Sequence, residues 1–215
     1  VDLLSEDEQW DALKRWIRTN GPSILGMVAV ALLAWYGWKW WKGHEDQQAL
    51  AASALYDKVL ATFDADKIDE AAAQVEALRT AYPKSAYVSA ADLAAARVFV
   101  AINELDKAST YLERVANSAR DKQLRPVARL RLARVQSAQG QYDKALATLG
   151  TADMGVHQGA YLEARGDVLF AKGDRAGALK AYEASRALLS PEAAGPDGVG
   201  LLLDLKISDL KATAS

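Results

Sequence analysis

Gly140-Gln141-Tyr142-Asp143-Lys144-Ala145-Leu146 holds the pattern that decides the fold. Lys67-Ile68-Asp69-Glu70-Ala71, Glu104-Leu105-Asp106-Lys107-Ala108 and Gln141-Tyr142-Asp143-Lys144-Ala145 share one form: any residue, an apolar residue, Asp, a charged residue, Ala. They stand 37 and 37 residues apart, and a degenerate fourth copy, Asp174-Arg175-Ala176-Gly177-Ala178, follows 33 residues later. A period of this size in an alanine-rich chain is the mark of stacked helical hairpins, each unable to cover its apolar face alone. Gly140 and Gly173 precede the third and fourth copies, where a helix has to end in the left-handed region. Val59, Ala96, Ala133 and Gly166 each stand seven residues before a turn position and are mostly small, as close helix contact requires.

The spacing predicts four pairs: 46–63 with 67–81, 85–102 with 105–118, 126–139 with 142–150, and 156–172 with 175–188. Pro191 ends the last pair, and Ala193 to Gly200 reads as a loop. A last amphipathic helix from Val199 to Leu210 sets Val199, Leu203, Ile207 and Leu210 on one face, the lid a terminal repeat needs.

Upstream lies Pro22 to Trp41, PSILGMVAVALLAWYGWKWW, uncharged from Ser23 to Trp38. Twenty helical residues span about 30 Å, the thickness of a bilayer's hydrocarbon core. Trp35, Tyr36, Trp38, Trp40 and Trp41 crowd its end, where amphipathic rings favour the headgroup level. The expectation is a single membrane span at 22–41, retained because bulky Trp and Lys, not small residues, follow it. A segment 1–21 precedes it and a helical domain 45–215 follows. Within the first segment, Ser5 with Glu8 has capping-box spacing, and Trp10, Leu13, Trp16 and Ile17 share a side, with Lys14, Arg15 and Arg18 near the end. It reads either as a helix in the membrane interface or as a tail helical only part of the time. Asn20-Gly21-Pro22 then breaks the chain. Basic residues flank the run evenly: Lys14, Arg15 and Arg18 before it, Lys39, Lys42 and Lys58 after it. The charge bias therefore leaves the orientation open.

The rest of the composition narrows function. Net charge is −2 and there is no Cys, so neither a basic nucleic-acid surface nor disulfides and thiolate metal sites are expected. The two histidines, His44 and His157, form no metal spacing, and the first reads as interfacial, the second as solvated or capping. The loop Gly195-Pro196-Asp197-Gly198-Val199-Gly200 lacks the Lys-Ser/Thr of a phosphate cradle. No enzyme, cofactor, nucleic acid or small-molecule substrate is expected. The basic run Arg120, Lys122, Arg125, Arg129, Arg131, Arg134 reads as a solvated face or a protein-binding surface, without aromatic platforms for bases.

Gly140-x-Tyr142-x-x-Ala145-Leu146, with Pro83 twelve residues after Ala71, resembles the tetratricopeptide repeat family. The first-helix Trp and most of its Tyr positions are missing, so the repeats are TPR-like. The whole layout resembles the YfgM-type ancillary subunits of the bacterial Sec translocon. That likeness rests on EQWDALKRWIRTNG at 8–21, Leu130-Arg131-Leu132-Ala133-Arg134-Val135-Gln136, and the closing helix Leu203-Asp204-Leu205-Lys206-Ile207-Ser208-Asp209-Leu210. It implies an all-α protein, an N-terminal transmembrane helix followed by a TPR-like helical-hairpin solenoid. It also implies an inner-membrane location, with a cytoplasmic N-terminus and a periplasmic domain. The implied partners are translocon subunits and a membrane-anchored periplasmic chaperone of the prolyl-isomerase type. In the repeat frame Arg97 and Arg134 hold one position in successive first helices, with Asp167 their counterpart in the fourth pair. Arg97, Arg131, Arg134 and Asp167 are the candidate partner-binding residues, and the five aromatics at 35–41 the candidate membrane-interface residues. The rival expectation is a structural organiser of a cell-envelope or division complex.

Overall fold

The computed structural model describes residues 6–150, 155–189 and 199–212. All regular structure among them is helical: α1 (Glu6–Asp64), α2 (Ile68–Ala81), α3 (Ala86–Ala101), α4 (Leu105–Ser118), α5 (Leu124–Ala138), α6 (Tyr142–Leu149), a 3-10 turn (Gly155–His157), α7 (Gln158–Lys172), α8 (Arg175–Ala187) and α9 (Val199–Ala212). The chain divides after Ala51 into two compact units.

In the first unit the described side chains from Ser23 to Leu50 are all exposed. Leu25, Val30 and Leu33 are 71%, 67% and 74% exposed, an apolar row that the described residues leave open. The expected break at Asn20-Gly21-Pro22 is instead a bend. The chain stays helical there, and Leu13–Gly21 and Leu25–Asp64 meet at 52°. Proline has no N–H to give the carbonyl four residues back, so it kinks a helix that its neighbours keep helical. Among the described residues no single helix is long and apolar enough to cross a membrane, though this bent pair passes together by length and composition. Ser5, the expected cap, lies outside the described residues, as does the Glu8 side chain.

The second unit is the repeat array. The stretch of α1 from Ala52 pairs with α2, α3 with α4, α5 with α6 and α7 with α8. The motif alanines Ala71, Ala108, Ala145 and Ala178 are each 0% exposed. Their methyls sit where a larger side chain would hold the next helix away. Val59, Ala96, Ala133 and Gly166 are buried too, as their spacing predicts. Phe99 stacks on Tyr111 with ring centroids 5.5 Å apart, tying α3 to α4.

The four hairpin turns are alike in backbone and unlike in sequence. Gly140 and Gly173 have φ of 75° and 93°, as expected of a left-handed helix end. Asp66 and Asn103 occupy the same place at φ 61° each. After each of the four, the next N–H closes a wide turn: Lys67 to Thr62 O, Glu104 to Phe99 O, Gln141 to Gln136 O and Asp174 to Leu169 O, at 2.8–3.1 Å. Asn and Asp are the residues besides glycine that visit this region routinely.

Three boundaries shift. Helix α5 begins at Leu124, upstream of the expected 126, because Pro126 falls in the first turn, where no N–H has an intrahelical partner. A 3-10 turn precedes α7 where the helix was expected to begin. Val199 and Gly200 belong to α9, and the rest of the expected loop, with Pro191, lies outside the described residues. The lid is present: Leu203 and Leu210 join Ala178 and Tyr182 in one buried cluster, with Ile207 against it. The Val199 side chain is not among the described ones.

Candidate partner-binding surface

Sorting the basic run by what each cation touches leaves few of them available. Arg120 donates to Lys84 O at 2.9 Å and Arg125 to Ala119 O at 3.0 Å, so both hold loop carbonyls. Arg129 is half-buried. Arg131 and Arg134 are exposed on α5, three residues apart and therefore on one face. Arg97 is exposed at the position of α3 equivalent to that of Arg134. The sequence of α5 contains four arginines and no acid, and that of α3 has Arg97 and one acid, Asp92.

That one acid is buried. Asp92 is 2% exposed and takes the guanidinium of Arg79 from α2. Arg114 of α4 pairs with Glu76, whose second oxygen lies 3.4 Å from Arg79 Nε without the geometry of a hydrogen bond. Burial pushes the Asp92 carboxyl above its ordinary range, against the pull of Arg79. Arg114 also lies 5.0 Å from the Tyr111 ring centroid. Two acids and two guanidinia thus lock α2, α3 and α4. The cost of removing a partner, about 3–5 kcal/mol for a buried pair, falls on Arg79 and Asp92, since Glu76 and Arg114 are partly exposed. The sign of this set in the sequence is the one acid of α3, flanked by apolar residues.

Asp167 does not join the arginines. Its Oδ1 lies 2.7 Å from Lys206 Nζ of α9 and accepts the Tyr182 hydroxyl at 2.8 Å. Glu163 holds the same ammonium at 2.8 Å. Burial would lower the Lys206 pKa, but the hydrogen bonds it donates to the two carboxylates outweigh that and raise it. Tyr182 is raised too, by burial and then by Asp167. This acid fastens the lid. Two of the motif aspartates act similarly between repeats: Gln139 donates to Asp106 at 2.7 Å, and Lys172 pairs with Asp143 at 2.6 Å.

The exposed arginine set is Arg97 on α3 with Arg131 and Arg134 on α5, while Glu163 and Asp167 on α7 are taken by Lys206. It can hold carboxylates by paired N–H donors. Among the described residues no group of three or more His, Asp or Glu could hold a metal ion. His157 stands at the N-cap of α7 but its ring caps nothing.

The aromatic end of the apolar row has its own geometry. Trp35 and Tyr36 meet edge to face at 5.5 Å, and Lys39 Nζ lies 5.7 Å from the Trp35 centroid. Trp40 stacks on His44 at 6.2 Å, and His44 Nε2 shares a hydrogen bond of 2.9 Å with Gln48. Trp38 and Trp41 are 71% and 67% exposed.

The sequence profile of the tetratricopeptide repeat-like domain matches residues 14–212. A relative from Escherichia coli (strain K12), named ancillary SecYEG translocon subunit, is 34% identical over 180 residues, 84% of this chain and 86% of the relative. A relative of the same name from Neisseria gonorrhoeae is 27% identical over 209 residues, 97% of this chain and 98% of its own. Among solved structures, a Podosopora anserina kinesin light chain of nearly identical TPR-like repeats superposes with a TM-score of 0.53 at 17% identity, covering 74% of this chain and 84% of that one. That likeness concerns the fold alone.

Proposed function

As the chain belongs to the family of ancillary SecYEG translocon subunits, tetratricopeptide repeat-like proteins and not enzymes, we propose that it is a membrane-tethered interaction subunit of the Sec translocon. It works by binding. The observation that carries this reading is the contrast between the two units. From Ser23 to Leu50 every described side chain is exposed, whereas the residues beyond Ala52 build their own core. A row of exposed Leu, Val and Trp this long is the mark of a surface met by lipid.

In this reading residues 22–41 form the single span in the inner membrane, and Trp35, Tyr36, Trp38, Trp40 and Trp41 sit at its interface. Residues 1–21 lie in the cytoplasm and 45–215 in the periplasm, an orientation taken from the family likeness. Confinement to the membrane plane raises the effective concentration of the repeat domain at the export channel. Arg97, Arg131 and Arg134 bind the partner, a periplasmic chaperone of the prolyl-isomerase type or an emerging chain, and Asp167 closes the face. The acid-free α5 favours an acidic stretch of that partner.

Gentle detergent extraction of the full chain, followed by affinity purification, tests the reading. Translocon subunits and a membrane-bound chaperone should copurify. Recovery of cell-envelope or division scaffolds in their place would overturn it. Orientation is checked by protease added to intact spheroplasts, which should digest the repeat domain and spare the first segment.

A further inference from the structure

The first segment has an exposed apolar stripe that the repeat domain's function does not use. Trp10, Leu13, Trp16 and Ile17 are 62%, 43%, 55% and 51% exposed. At 100° per residue they fall within about 120° of arc. Lys14, Arg15 and Arg18, also exposed, lie on the neighbouring arc. Asp11 stands 3.6 Å from Lys14 Nζ, and Arg15 Nε donates to the Asp11 carbonyl at 3.2 Å. Asn20 and Thr19 fold back on Trp16 O and Arg15 O at 3.0 and 2.9 Å. Their polar groups are thereby satisfied inside the helix at its junction with the apolar row.

A helix with an aromatic apolar face and cations beside it suits the headgroup level of a bilayer. The 52° bend between Leu13–Gly21 and Leu25–Asp64 turns this segment out of the direction of the apolar row. A helix that enters a span through such a bend inclines toward the plane of the interface. The cations cluster in its last two turns, next to the row, where lipid phosphates would lie. We infer that Trp10, Leu13, Trp16 and Ile17 form a second membrane contact, an interfacial helix whose Lys14, Arg15 and Arg18 bind anionic lipid headgroups. The inference rests on the membrane reading of residues 22–41. Cations near an anionic leaflet are each attracted to it, which favours lipid over a neutral protein groove.

The test uses the full chain in protein-free vesicles. Replacing Trp35, Trp38, Trp40 and Trp41 with Phe leaves Trp10 and Trp16 as reporters. The complementary chain, Trp10→Phe with Trp16→Phe, reports on the apolar row. Lipids brominated on the upper acyl chain should lower Trp10 and Trp16 emission about twofold or more in phosphatidylethanolamine–phosphatidylglycerol vesicles. Quenching should be weaker in neutral phosphatidylcholine, and it should be lost in the reporter chain carrying Leu13→Glu and Ile17→Glu. If only the complementary chain is quenched, the interfacial helix is overturned while the anchor stands. If neither is quenched, the anchor fails and this inference with it. Equal quenching in neutral and anionic vesicles would overturn the role of the three cations.

Discussion

Gly166 of α7 lies so close beneath the ring of Tyr182 of α8 that a Cβ at 166 would overlap the ring. The absent side chain lets Tyr182 reach past α7's backbone and give its hydroxyl to Asp167 at 2.8 Å. Asp167 in turn holds Lys206, so one glycine sets the contact through which α9 is fastened.

Gly166→Ala should therefore destabilise the domain by about 1–3 kcal/mol, the cost of overpacking a close helix contact. Tyr182→Phe removes only the hydroxyl and should cost about 1 kcal/mol. Urea unfolding followed by circular dichroism measures both. A loss from Gly166→Ala no larger than that from Tyr182→Phe would show that α7 and α8 can part freely.

The same lid should loosen in alkali. Lys206 and Tyr182 are both raised in the folded protein, above 10.5 and 10.0 respectively. Each holds its proton more tightly folded than unfolded. Their contribution is full below the unfolded values and is lost as pH rises through the folded ones. Melting temperatures should fall as pH rises above about 10, and the fall should be shallower in Lys206→Met. An unchanged slope would mean that Lys206 is not held by Glu163 and Asp167.

The hairpin turns give a paired test. At Gly140 and Gly173, with φ of 75° and 93°, alanine should cost about 1–2 kcal/mol each. At Asn103, with φ 61°, glycine should be tolerated and alanine should not. Equal melting temperatures for Asn103→Ala and Asn103→Gly would contradict a left-handed turn there.

Arg97→Glu with Arg134→Glu should weaken chaperone or nascent-chain capture about tenfold or more at unchanged melting temperature, because each side chain is exposed. Lys84→Glu with Lys180→Glu makes an equal charge change at exposed positions off the first helices and outside the basic run. Equal weakening by the two pairs would reduce the effect to net charge. No weakening by either would place the partner on the span or on the opposite, convex face of the repeats.

The domain from Glu45 onward should be soluble, monomeric and highly helical. All six tryptophans lie at or before position 41, so its emission should come from tyrosine alone. Aggregation or low helicity would mean that the span or a partner completes the core.

Much of this protein is legible one residue at a time. Alanines 71, 108, 145 and 178 mark the start of each second helix, because close packing admits only a methyl there. Glycines 140 and 173 mark two turns, because their backbone conformation strains other side chains. Asp66 and Asn103 hide the equivalent turns, since the requirement is on φ and polar side chains can also meet it. The break expected at Pro22 became a bend, because losing one backbone hydrogen bond is not enough to end a helix whose flanks both favour it. What no local pattern carries is the partner of a charge. Asp167 looks like the fourth member of a row with Arg97 and Arg134, yet its ammonium arrives from Lys206, 39 residues along the chain. Asp92 and Arg79 likewise meet only when α2 and α3 pack. The sequence determined the repeat through size and backbone conformation, which act locally. Tertiary structure decided which charges were left for a partner, because an ion pair depends on distance in space.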